Sequence, residues 1–165
     1  MSRVYLLIGG NKGDRLGYLK KAIIRIKKNV GSIIQSSSIY ETEPYGFNDE
    51  CLFLNQCLLV DTNLSPLEIL KITTGIETSL GRIRRAGLFE SRTIDIDILF
   101  YDDLILKDAS LIIPHPEFHK RNFALIPMSE INPGFIHPLL RKTIRVLLEE
   151  STDKHEVVKF SDKII

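Results

Sequence analysis

Two aspartates one residue apart, Asp95 and Asp97, lie in a stretch whose pattern is typical of a β-strand. Polar and apolar residues alternate through residues 93–98, which is the two-residue period of a strand with one buried face. Such a strand points both carboxylates away from the isoleucines, with their Cα atoms about 7 Å apart. Because like charges at that distance repel, we expect a cation beside them, and Mg²⁺ is an ion that carboxylate oxygens bind.

The segment before this strand, residues 81–92, is rich in arginine. It contains four arginines and one glutamate, and a planar guanidinium binds a phosphate through paired hydrogen bonds. Carboxylates for Mg²⁺ beside several guanidiniums suit a polyphosphate, so the two features together predict a polyphosphate site. The structural alternative is an ordinary exposed strand face next to solvated arginines. Either feature alone leaves that alternative open.

The order of elements predicts how these residues are held. Ser65, Pro66 and Glu68 form the signature of a capped helix start, and Glu77 interrupts the apolar side of that helix, so we expect it to face something polar. The order strand–helix–strand, strand–helix–strand with a later hairpin is typical of an α+β, ferredoxin-like fold. In that fold an antiparallel sheet carries packed helices, here in three α/β/α layers. We predict a single domain over residues 1–165.

Glycine, proline and apolar periodicity predict the bounds of these elements. A helix that begins at Phe123 is expected to stop near Pro127, because proline lacks the amide hydrogen that a helix interior needs. The residues after 150 are predicted to form a polar tail. The predicted strands cover residues 4–8, 32–40, 52–61 and 92–101, with a hairpin at 104–106 and 111–113. The predicted helices cover residues 16–30, 66–80, 123–128 and 143–150.

Composition argues against several classes of function. The 165 residues are 44% hydrophobic and 26% charged, and the net charge is +1, so no overall basic field attracts nucleic acid or an anionic membrane. No apolar run approaches the roughly 18 residues that cross a bilayer, and the first run is too short for a signal-peptide core. Two cysteines, Cys51 and Cys57, are too few for a disulfide framework and indicate the reducing cytoplasm.

Two histidines in the last third of the chain have a spacing that a helix could use to bind a metal. Pro114 and Pro116 flank His115, however, and make a regular helix there unfavourable. No third ligand is close to His119 in the sequence, so we expect no zinc site. The segment instead predicts a rigid loop that presents hydrogen-bond donors, or a loop with a purely structural role.

Several motifs in a fixed order identify a family. The run Arg92-Thr93-Ile94-Asp95-Ile96-Asp97 is followed by Pro114-His115-Pro116 and by an Arg-x-Phe element at Arg121. In this order they resemble the 6-hydroxymethyl-7,8-dihydropterin pyrophosphokinases of folate biosynthesis. The similarity extends over essentially the whole chain and includes Ile-Gly-Gly-Asn at 8–11, Tyr-Glu-Thr at 40–42 and Phe-Leu-Asn-Gln at 53–56.

The resemblance implies an activity, a cofactor and partners. Enzymes of this family move the β,γ-diphosphate of ATP to the hydroxymethyl group of the pterin and release AMP. The resemblance assigns two Mg²⁺ ions to Asp95 and Asp97 and phosphate contacts to Arg82 and Arg92, and these four are the implied catalytic residues. The implied partners are ATP and the pterin, with no nucleic acid and no membrane, and the enzyme is expected to be a monomer.

The same resemblance assigns residues to the two substrate pockets. The implied nucleotide-binding residues are Glu77, Arg82, Arg84, Arg92, Ile98, His115 and Arg121. The implied pterin-binding residues are Thr42, Tyr45, Phe53, Asn55, Asp95 and Phe123. Among these, Asn55 is expected to hydrogen-bond the ring edge and Phe123 to stack on the ring face.

The arginine segment departs from the usual family pattern at two positions. Leu88 stands where a basic residue is common, and Glu90 adds an acid. These changes remove one phosphate contact that the family pattern implies. We expect Arg84 or Arg85 to compensate for it.

Two other functions stay open from the sequence. A two-metal nucleotidyl- or phosphotransferase with another acceptor would keep the aspartates and arginines but not the pterin pocket. A non-catalytic ferredoxin-like module that binds a small molecule or RNA would not bind ATP with Mg²⁺. The near-neutral charge and the lack of paired surface aromatics on a strand argue against RNA.

Overall fold

The structure of the chain is a computed structural model that describes residues 1–44, 47, 50–86, 88 and 90–164. Its strands are β1 (Ser2–Gly10), β2 (Ser32–Ser36), β3 (Ile39–Thr42), β4 (Phe53–Thr62), β5 (Asp95–Tyr101), β6 (Leu106–Lys107), β7 (Ile112–Ile113) and β8 (Val157–Ser161). Its α-helices are α1 (Arg15–Asn29), α2 (Pro66–Ser79), α3 (Asn122–Ile131) and α4 (Ile144–Glu149). A short 3₁₀ helix covers Phe118–Lys120.

The main sheet is antiparallel throughout. Its strands follow the order β5-β1-β4-β3-β8, and β2 pairs with β4 beside β3. Helix α1 connects β1 to β2, and α2 connects β4 to β5, while β6 and β7 form a separate two-stranded hairpin. The predicted α+β, ferredoxin-like arrangement with an added hairpin is confirmed.

Two hydrophobic cores cover the two faces of the sheet. On one face, α1 and α2 pack their apolar sides on alternate residues of β1, such as Leu6 and Ile8. On the other face, α3 and α4 pack on Tyr5 and Leu7 of the same strand. Since residues 4–8 of β1 are buried on both faces, they are continuously apolar instead of alternating. The predicted three α/β/α layers are confirmed.

The start of α2 follows its sequence signature. Ser65 accepts a hydrogen bond from the Glu68 amide, and the Glu68 carboxylate accepts one from the Ser65 amide at 2.7 Å. Pro66 occupies the first helical position, where its missing amide hydrogen costs nothing. This cap fixes where α2 begins, and the helix then carries Glu77 to the end of the sheet at which β5 starts.

The predicted strand at residues 32–40 is wrong as one continuous element. The chain forms β2 and β3, which pair with different parts of β4. Between them, the Ser38 amide donates to the Glu130 carboxylate at 3.0 Å, and the Ser38 hydroxyl donates to it at 2.9 Å. The Glu130 carboxylate, from α3, thus replaces a neighbouring strand as the hydrogen-bond partner of Ser38. Local sequence periodicity cannot predict this contact, because the two residues are far apart in the chain.

Two expectations about the last third of the chain are also wrong. Helix α3 does not stop at Pro127 but continues to Ile131. Its buried residues on both sides of the proline pack on the sheet, and this packing outweighs one missing intrahelical hydrogen bond. The predicted polar tail contains β8, which pairs with the outer edge of β3. None of the helices in the described ranges is long and apolar enough to cross a membrane.

Candidate active site

The register of three neighbouring strands brings predicted site residues into one row. Gly9 of β1 pairs with Asp95 of β5 on one side and with Asn55 of β4 on the other. Two residues earlier in β1, Leu7 pairs with Asp97 of β5. Residues that pair directly across a sheet share a face, so both aspartates and Asn55 lie on the face that α3 covers.

Gly9 makes room for Asn55 in this row. A Cβ atom at Gly9 would lie 2.3 Å from Asn55 Oδ1 and 2.7 Å from the Leu54 carbonyl oxygen. Non-bonded heavy atoms do not approach so closely, so any larger residue would push the Asn55 side chain away. The glycine that ends the first predicted strand is therefore part of the site's architecture.

Asp95 lies between two arginines. Arg82 Nη1 is 2.6 Å from Asp95 Oδ1, and Arg92 Nη1 is 3.2 Å from Asp95 Oδ2. The side chains of Arg82 and Arg92 are only 11% and 18% exposed, so salt screens these pairs less than pairs on the surface. The expected cationic neighbour of the acidic pair is confirmed for Asp95, and it is a pair of guanidiniums.

Glu77 joins this network from α2. Its Oε1 accepts a hydrogen bond from the Ile96 amide at 2.8 Å, and its Oε2 lies 3.0 Å from Arg82 Nη1 and also contacts Arg84. Burial first, and then the nearby Asp95 carboxylate, raise the pKa of Glu77. The expectation that Glu77 faces something polar is confirmed, and its contacts hold the base of the arginine segment against β5.

Asp97 is less well neutralised than Asp95. Within the described ranges, no arginine, lysine or histidine forms an ion pair with it. Burial first, and then the carboxylates of Asp95 and Glu77, raise the pKa of Asp97 to about 8. The carboxyl of Asp97 is therefore largely protonated near neutral pH, and a divalent cation beside it would stabilise its charged form.

A cavity opens above this row. Residues of β1, β3, β4, β5, α3 and the adjoining segments line it, and they include most of the predicted pterin residues. Those that it brings together are Thr42, Phe53, Asn55, Asp95, Asp97, Arg92, Arg121 and Phe123. The strand register thus joins the predicted acceptor pocket to the acidic pair in one space.

The walls of this cavity contain buried donors with no hydrogen-bond partner in the described part of the chain. These atoms are Asn55 Nδ2 and Arg92 Nε. A buried donor without a partner costs free energy of about 1–3 kcal/mol, so it suits a ligand that presents acceptors. Asn55 is therefore well placed to recognise a polar ring edge.

Aromatic rings and guanidiniums are paired at two places in the cavity. Arg92 Cζ lies 5.1 Å from the centre of the Phe53 ring, and Arg121 Cζ lies 5.8 Å from the centre of the Phe123 ring. A flat heterocycle can stack on such rings, and the guanidiniums place positive charge beside them. The arrangement suits a ligand with a flat ring next to phosphates.

The arginine segment lines a second cavity. Four arginines line it, Arg82, Arg84, Arg85 and Arg92, together with Leu88 and Glu90. Arg84 contacts Glu77 here, so its predicted compensation for Leu88 requires it to exchange that carboxylate for a phosphate. Because Arg92 lines both cavities, it connects the predicted acceptor and phosphate regions.

Three predicted nucleotide contacts, Glu77, Ile98 and His115, are not among the described residues that line these cavities. Ile98 is 4% exposed and belongs to the core under α1 and α2, so a nucleotide contact from it would have to come from its backbone. Burial first, and then Arg121, lower the pKa of His115, whose ring Nδ1 accepts from the Glu117 amide at 3.2 Å. A neutral His115 ring can then donate through Nε2. Tyr45 lies outside the described residues.

The sequence reasoning missed the contribution of the C-terminal segment. The Glu156 carbonyl accepts a hydrogen bond from the Thr42 hydroxyl at 3.1 Å. The Asp153 carboxylate accepts one from the Asn122 amide at 2.8 Å, at the start of the helix that carries Phe123. An aspartate at a helix N-terminus is a common cap, but the cap here comes from 31 residues further along the chain. No local signal could have identified it.

The acidic pair fits Mg²⁺ by its donor set. The pair supplies carboxylate oxygens, and among the described residues no group of three or more histidine, cysteine, aspartate or glutamate side chains has an arrangement that could hold a metal ion. An ion held by few protein ligands needs its remaining positions filled by phosphate oxygens and water, which is how Mg²⁺ usually binds. The four guanidiniums at the adjacent cavity make a polyphosphate the matching source of those oxygens.

Comparison with known proteins agrees with this geometry. The family model described as 7,8-dihydro-6-hydroxymethylpterin-pyrophosphokinase (HPPK) matches residues 5–133. The chain belongs to the HPPK family. A 2-amino-4-hydroxy-6-hydroxymethyldihydropteridine pyrophosphokinase of Aquifex aeolicus is 39% identical over 154 residues, which are 93% of this chain and 95% of that protein. The Bacillus subtilis protein of the same name is 39% identical over 128 residues, 77% of this chain and 76% of that protein.

Solved structures of HPPK-DHPS proteins share the fold. The wild-type Plasmodium falciparum HPPK-DHPS crystal structure with SDX-DHP superposes with a TM-score of 0.73 at 21% sequence identity. The match covers 91% of this chain and 43% of that chain, so this HPPK-family chain spans less than half the length of that relative. At this identity the likeness concerns the fold alone.

Proposed function

We propose that the chain transfers the β,γ-diphosphate of ATP to the hydroxymethyl group of 6-hydroxymethyl-7,8-dihydropterin and releases AMP, a step of folate biosynthesis. The observation that carries this proposal is that Arg92 lines both cavities. The first cavity also contains the Asp95–Asp97 pair and suits a flat polar ring, and the second is lined by four arginines. A transfer between two bound substrates needs them adjacent and aligned.

The protein's own residues supply orientation and charge in this reaction. Asn55 donates its free Nδ2 hydrogens to the pterin edge, and Phe53 and Phe123 hold the ring. Arg82 and Arg92 now neutralise Asp95, so we propose that they turn toward the phosphates when a cation takes over that task. A guanidinium suits the charge that develops on a transferring diphosphate.

We propose Mg²⁺ as the cofactor, held by Asp95 and Asp97. When bound, two such ions neutralise the triphosphate and lower the pKa of an oxygen that they bind. The raised pKa of Asp97 means that cation binding near neutral pH is coupled to the release of a proton from this carboxyl.

We propose that residues 1–165 act as one domain and as a monomer in the cytoplasm. The two cores lie on the two faces of one sheet and share β1, which favours one cooperative unit. Cys57 is buried and Cys51 exposed, and neither forms a disulfide within the described residues, as is usual for proteins in a reducing compartment.

The reaction can be tested by ³¹P NMR of the purified chain with Mg²⁺-ATP and 6-hydroxymethyl-7,8-dihydropterin. We expect the signals of ATP to be replaced by those of AMP and a pterin diphosphate. Formation of ADP would contradict diphosphate transfer and indicate ordinary phosphoryl transfer. ATP that stays intact in the presence of both Mg²⁺ and pterin would contradict the enzymatic function.

Asn55→Ala is expected to weaken acceptor binding selectively. The substitution removes the only side chain in the row that presents a free amide to the ring, so the KM for the pterin should rise about 30-fold, as expected for a site that loses a buried hydrogen bond. The dissociation constant of a non-hydrolysable Mg²⁺-ATP analogue, measured by calorimetry, should stay within about twofold, because Asn55 does not line the arginine cavity.

Asn132→Ala is the matched control for this substitution. Asn132 donates to the Tyr5 hydroxyl at 3.0 Å and ends α3 away from the cavity. We expect its KM for the pterin to equal that of the wild type. An Asn55→Ala enzyme with unchanged pterin KM, or one in which both substrates bind equally poorly, would refute the assigned role.

A further inference from the structure

Asn11 is a buried amide just beyond the end of β1, and all of its hydrogen-bonding atoms are used. It is 1% exposed. Its Nδ2 donates to the Cys51 carbonyl at 3.1 Å and to the Ser91 hydroxyl at 3.2 Å, and its Oδ1 accepts from the Arg92 amide at 2.9 Å. One side chain therefore joins β1, the segment before β4 and the arginine segment.

The backbone of Arg92 is held on both sides by this residue and its neighbour. The Arg92 amide donates to Asn11 Oδ1, and the Arg92 carbonyl accepts from the Asn11 amide at 3.0 Å and from the Lys12 amide at 3.2 Å. A residue whose amide and carbonyl are both bonded has little freedom to shift. Asn11 thus sets the point from which the Arg92 side chain extends.

Gly10 allows this close approach. A Cβ atom at Gly10 would lie 2.3 Å from the Thr93 carbonyl oxygen and 3.0 Å from the Arg92 carbonyl oxygen. Only a glycine lets the backbone of residues 92–93 pass directly against the end of β1. The Gly-Gly-Asn sequence therefore has two linked tasks, since Gly9 accommodates Asn55 and Gly10 brings Arg92 within reach of Asn11.

The other hydrogen bond of the Asn11 side chain reaches the segment that leads into a residue of the acceptor pocket, Phe53. The Cys51 carbonyl that it binds is two residues before Phe53, at the point where β4 begins. The Phe53 ring lies under the Arg92 guanidinium, 5.1 Å from its Cζ atom. The Asn11 side chain thus binds the backbone of Arg92 and the backbone of Cys51, two residues before the ring on which the Arg92 guanidinium stacks.

We infer that Asn11 is a positioning residue that couples the acceptor pocket to the phosphate-binding arginine. Its side chain holds Phe53 and Arg92 in register, so that the ring and the guanidinium meet the two substrates at a fixed separation. The inference rests on the proposed diphosphate transfer, because Arg92 is assigned to the phosphates there. Asn11 itself lines neither cavity and touches no substrate in this role.

A double-mutant cycle with Arg92 tests this role. Asn11→Ala should lower kcat about 100-fold in the wild-type background, since a misplaced positioning group costs that much. In the Arg92→Ala background the same substitution should lower kcat less than about threefold, because the group on which it acts is gone. Equal losses in the two backgrounds would overturn the inference.

Two further variants separate positioning from general loss of stability. Asn11→Asp has nearly the same shape and keeps the acceptor for the Arg92 amide, but it places an oxygen against the Cys51 carbonyl. We expect it to fold, to raise the KM for the pterin and to lower kcat less than Asn11→Ala does. Asn132→Ala, which also removes a partly buried amide, should lower the melting temperature and leave kcat unchanged. If Asn132→Ala lowers kcat as much as Asn11→Ala, the inference is overturned.

The wild-type reaction distinguishes this inference from the proposed function. A wild-type chain that forms no AMP from ATP and the pterin would overturn both. A wild-type chain that forms AMP, with independent effects of Asn11 and Arg92, would overturn the positioning role alone. Formation of AMP together with loss of the Asn11 effect in the Arg92→Ala background supports both.

Discussion

Asp97→Asn should lower kcat about 1,000-fold or more, since it removes an anionic ligand of the ions that neutralise the transferring diphosphate. The fold should be retained, because asparagine has the same shape and the neighbouring Leu7 and Ile96 keep their packing. In the absence of divalent cations the variant should even be more stable than the wild type, because a repelled carboxylate is replaced by a neutral amide.

The direction of the stability effect follows from the pKa of Asp97. That pKa is about 8 in the folded protein and about 3.9 in an unfolded chain. Between these values the folded state binds more protons than the unfolded state, so the free energy of unfolding of the wild type falls as the pH rises from about 4 to about 8. The Asp97→Asn variant does not lose stability in this way. The difference in free energy of unfolding between the variant and the wild type should therefore grow with pH and level off above about pH 8.

Thermal unfolding with a chelator present, at pH 5 and at pH 9, measures this effect. We expect similar melting temperatures at pH 5 and a higher one for Asp97→Asn by several degrees at pH 9. Asp103→Asn is the matched control, since Asp103 is an exposed aspartate in the turn after the same strand, and it should change neither kcat nor the pH dependence. An Asp97→Asn variant that loses stability relative to the wild type at pH 9 would refute the electrostatic account.

Arg82→Ala should cost both activity and stability. Arg82 contacts Glu77 and Asp95 at once, at 3.0 and 2.6 Å, and is 11% exposed. Without Arg82, the carboxylates of Glu77 and Asp95 face each other in a largely buried site. Removing one partner of a buried ion pair costs about 3–5 kcal/mol of stability. The kcat should fall about 100- to 1,000-fold, because a preorganised cation at the diphosphate is lost.

Arg84→Ala is the informative comparison for Arg82→Ala. Arg84 also contacts Glu77, but its side chain is 57% exposed and, unlike Arg82, it forms no ion pair with Asp95. An exposed pair contributes at most about 1 kcal/mol, so we expect a small loss of stability and an effect mainly on the KM for ATP. Urea unfolding and steady-state kinetics of both variants measure the difference. Equal effects of the two substitutions would contradict the central position of Arg82.

The loss of stability in Arg82→Ala should also depend on pH. Burial and Asp95 already raise the pKa of Glu77, and removal of a positive neighbour raises it further. A protonated Glu77 no longer repels Asp95, so the loss should be smaller at pH 5 than at pH 8 when both are measured by urea unfolding. A loss that grows as the pH falls would contradict this explanation.

Local signals in the sequence determined much of the fold. The capping box at Ser65 and the two-residue period around Asp95 each involve neighbours within a few positions of the chain, so they identified a helix start and a strand directly. The order of such elements then predicted the sheet and its three layers. Errors arose where a distant contact overrode a local rule, as with Glu130 at Ser38 and the packing of α3 around Pro127.

The chemistry of the site was also contained in the sequence, as residue types and their spacing. The acidic pair and the arginine segment are separated by only two residues, so their joint preference for a metal and a polyphosphate did not depend on the fold. The family motifs added the acceptor. The roles of individual residues at the two pockets remain predictions until the variants above are measured.

Only the tertiary structure decided how these residues meet. Register places Asp95, Gly9 and Asn55 in one row, although they are up to 86 positions apart, and it is fixed by ladder hydrogen bonds between strands that are distant in sequence. The same holds for Asn11, whose three partners lie 40, 80 and 81 residues away. A sequence pattern reports which face a side chain takes, because that depends on its own strand or helix. It cannot report which distant backbone carbonyl a buried amide will bind, because that depends on how the strands are arranged in the folded sheet.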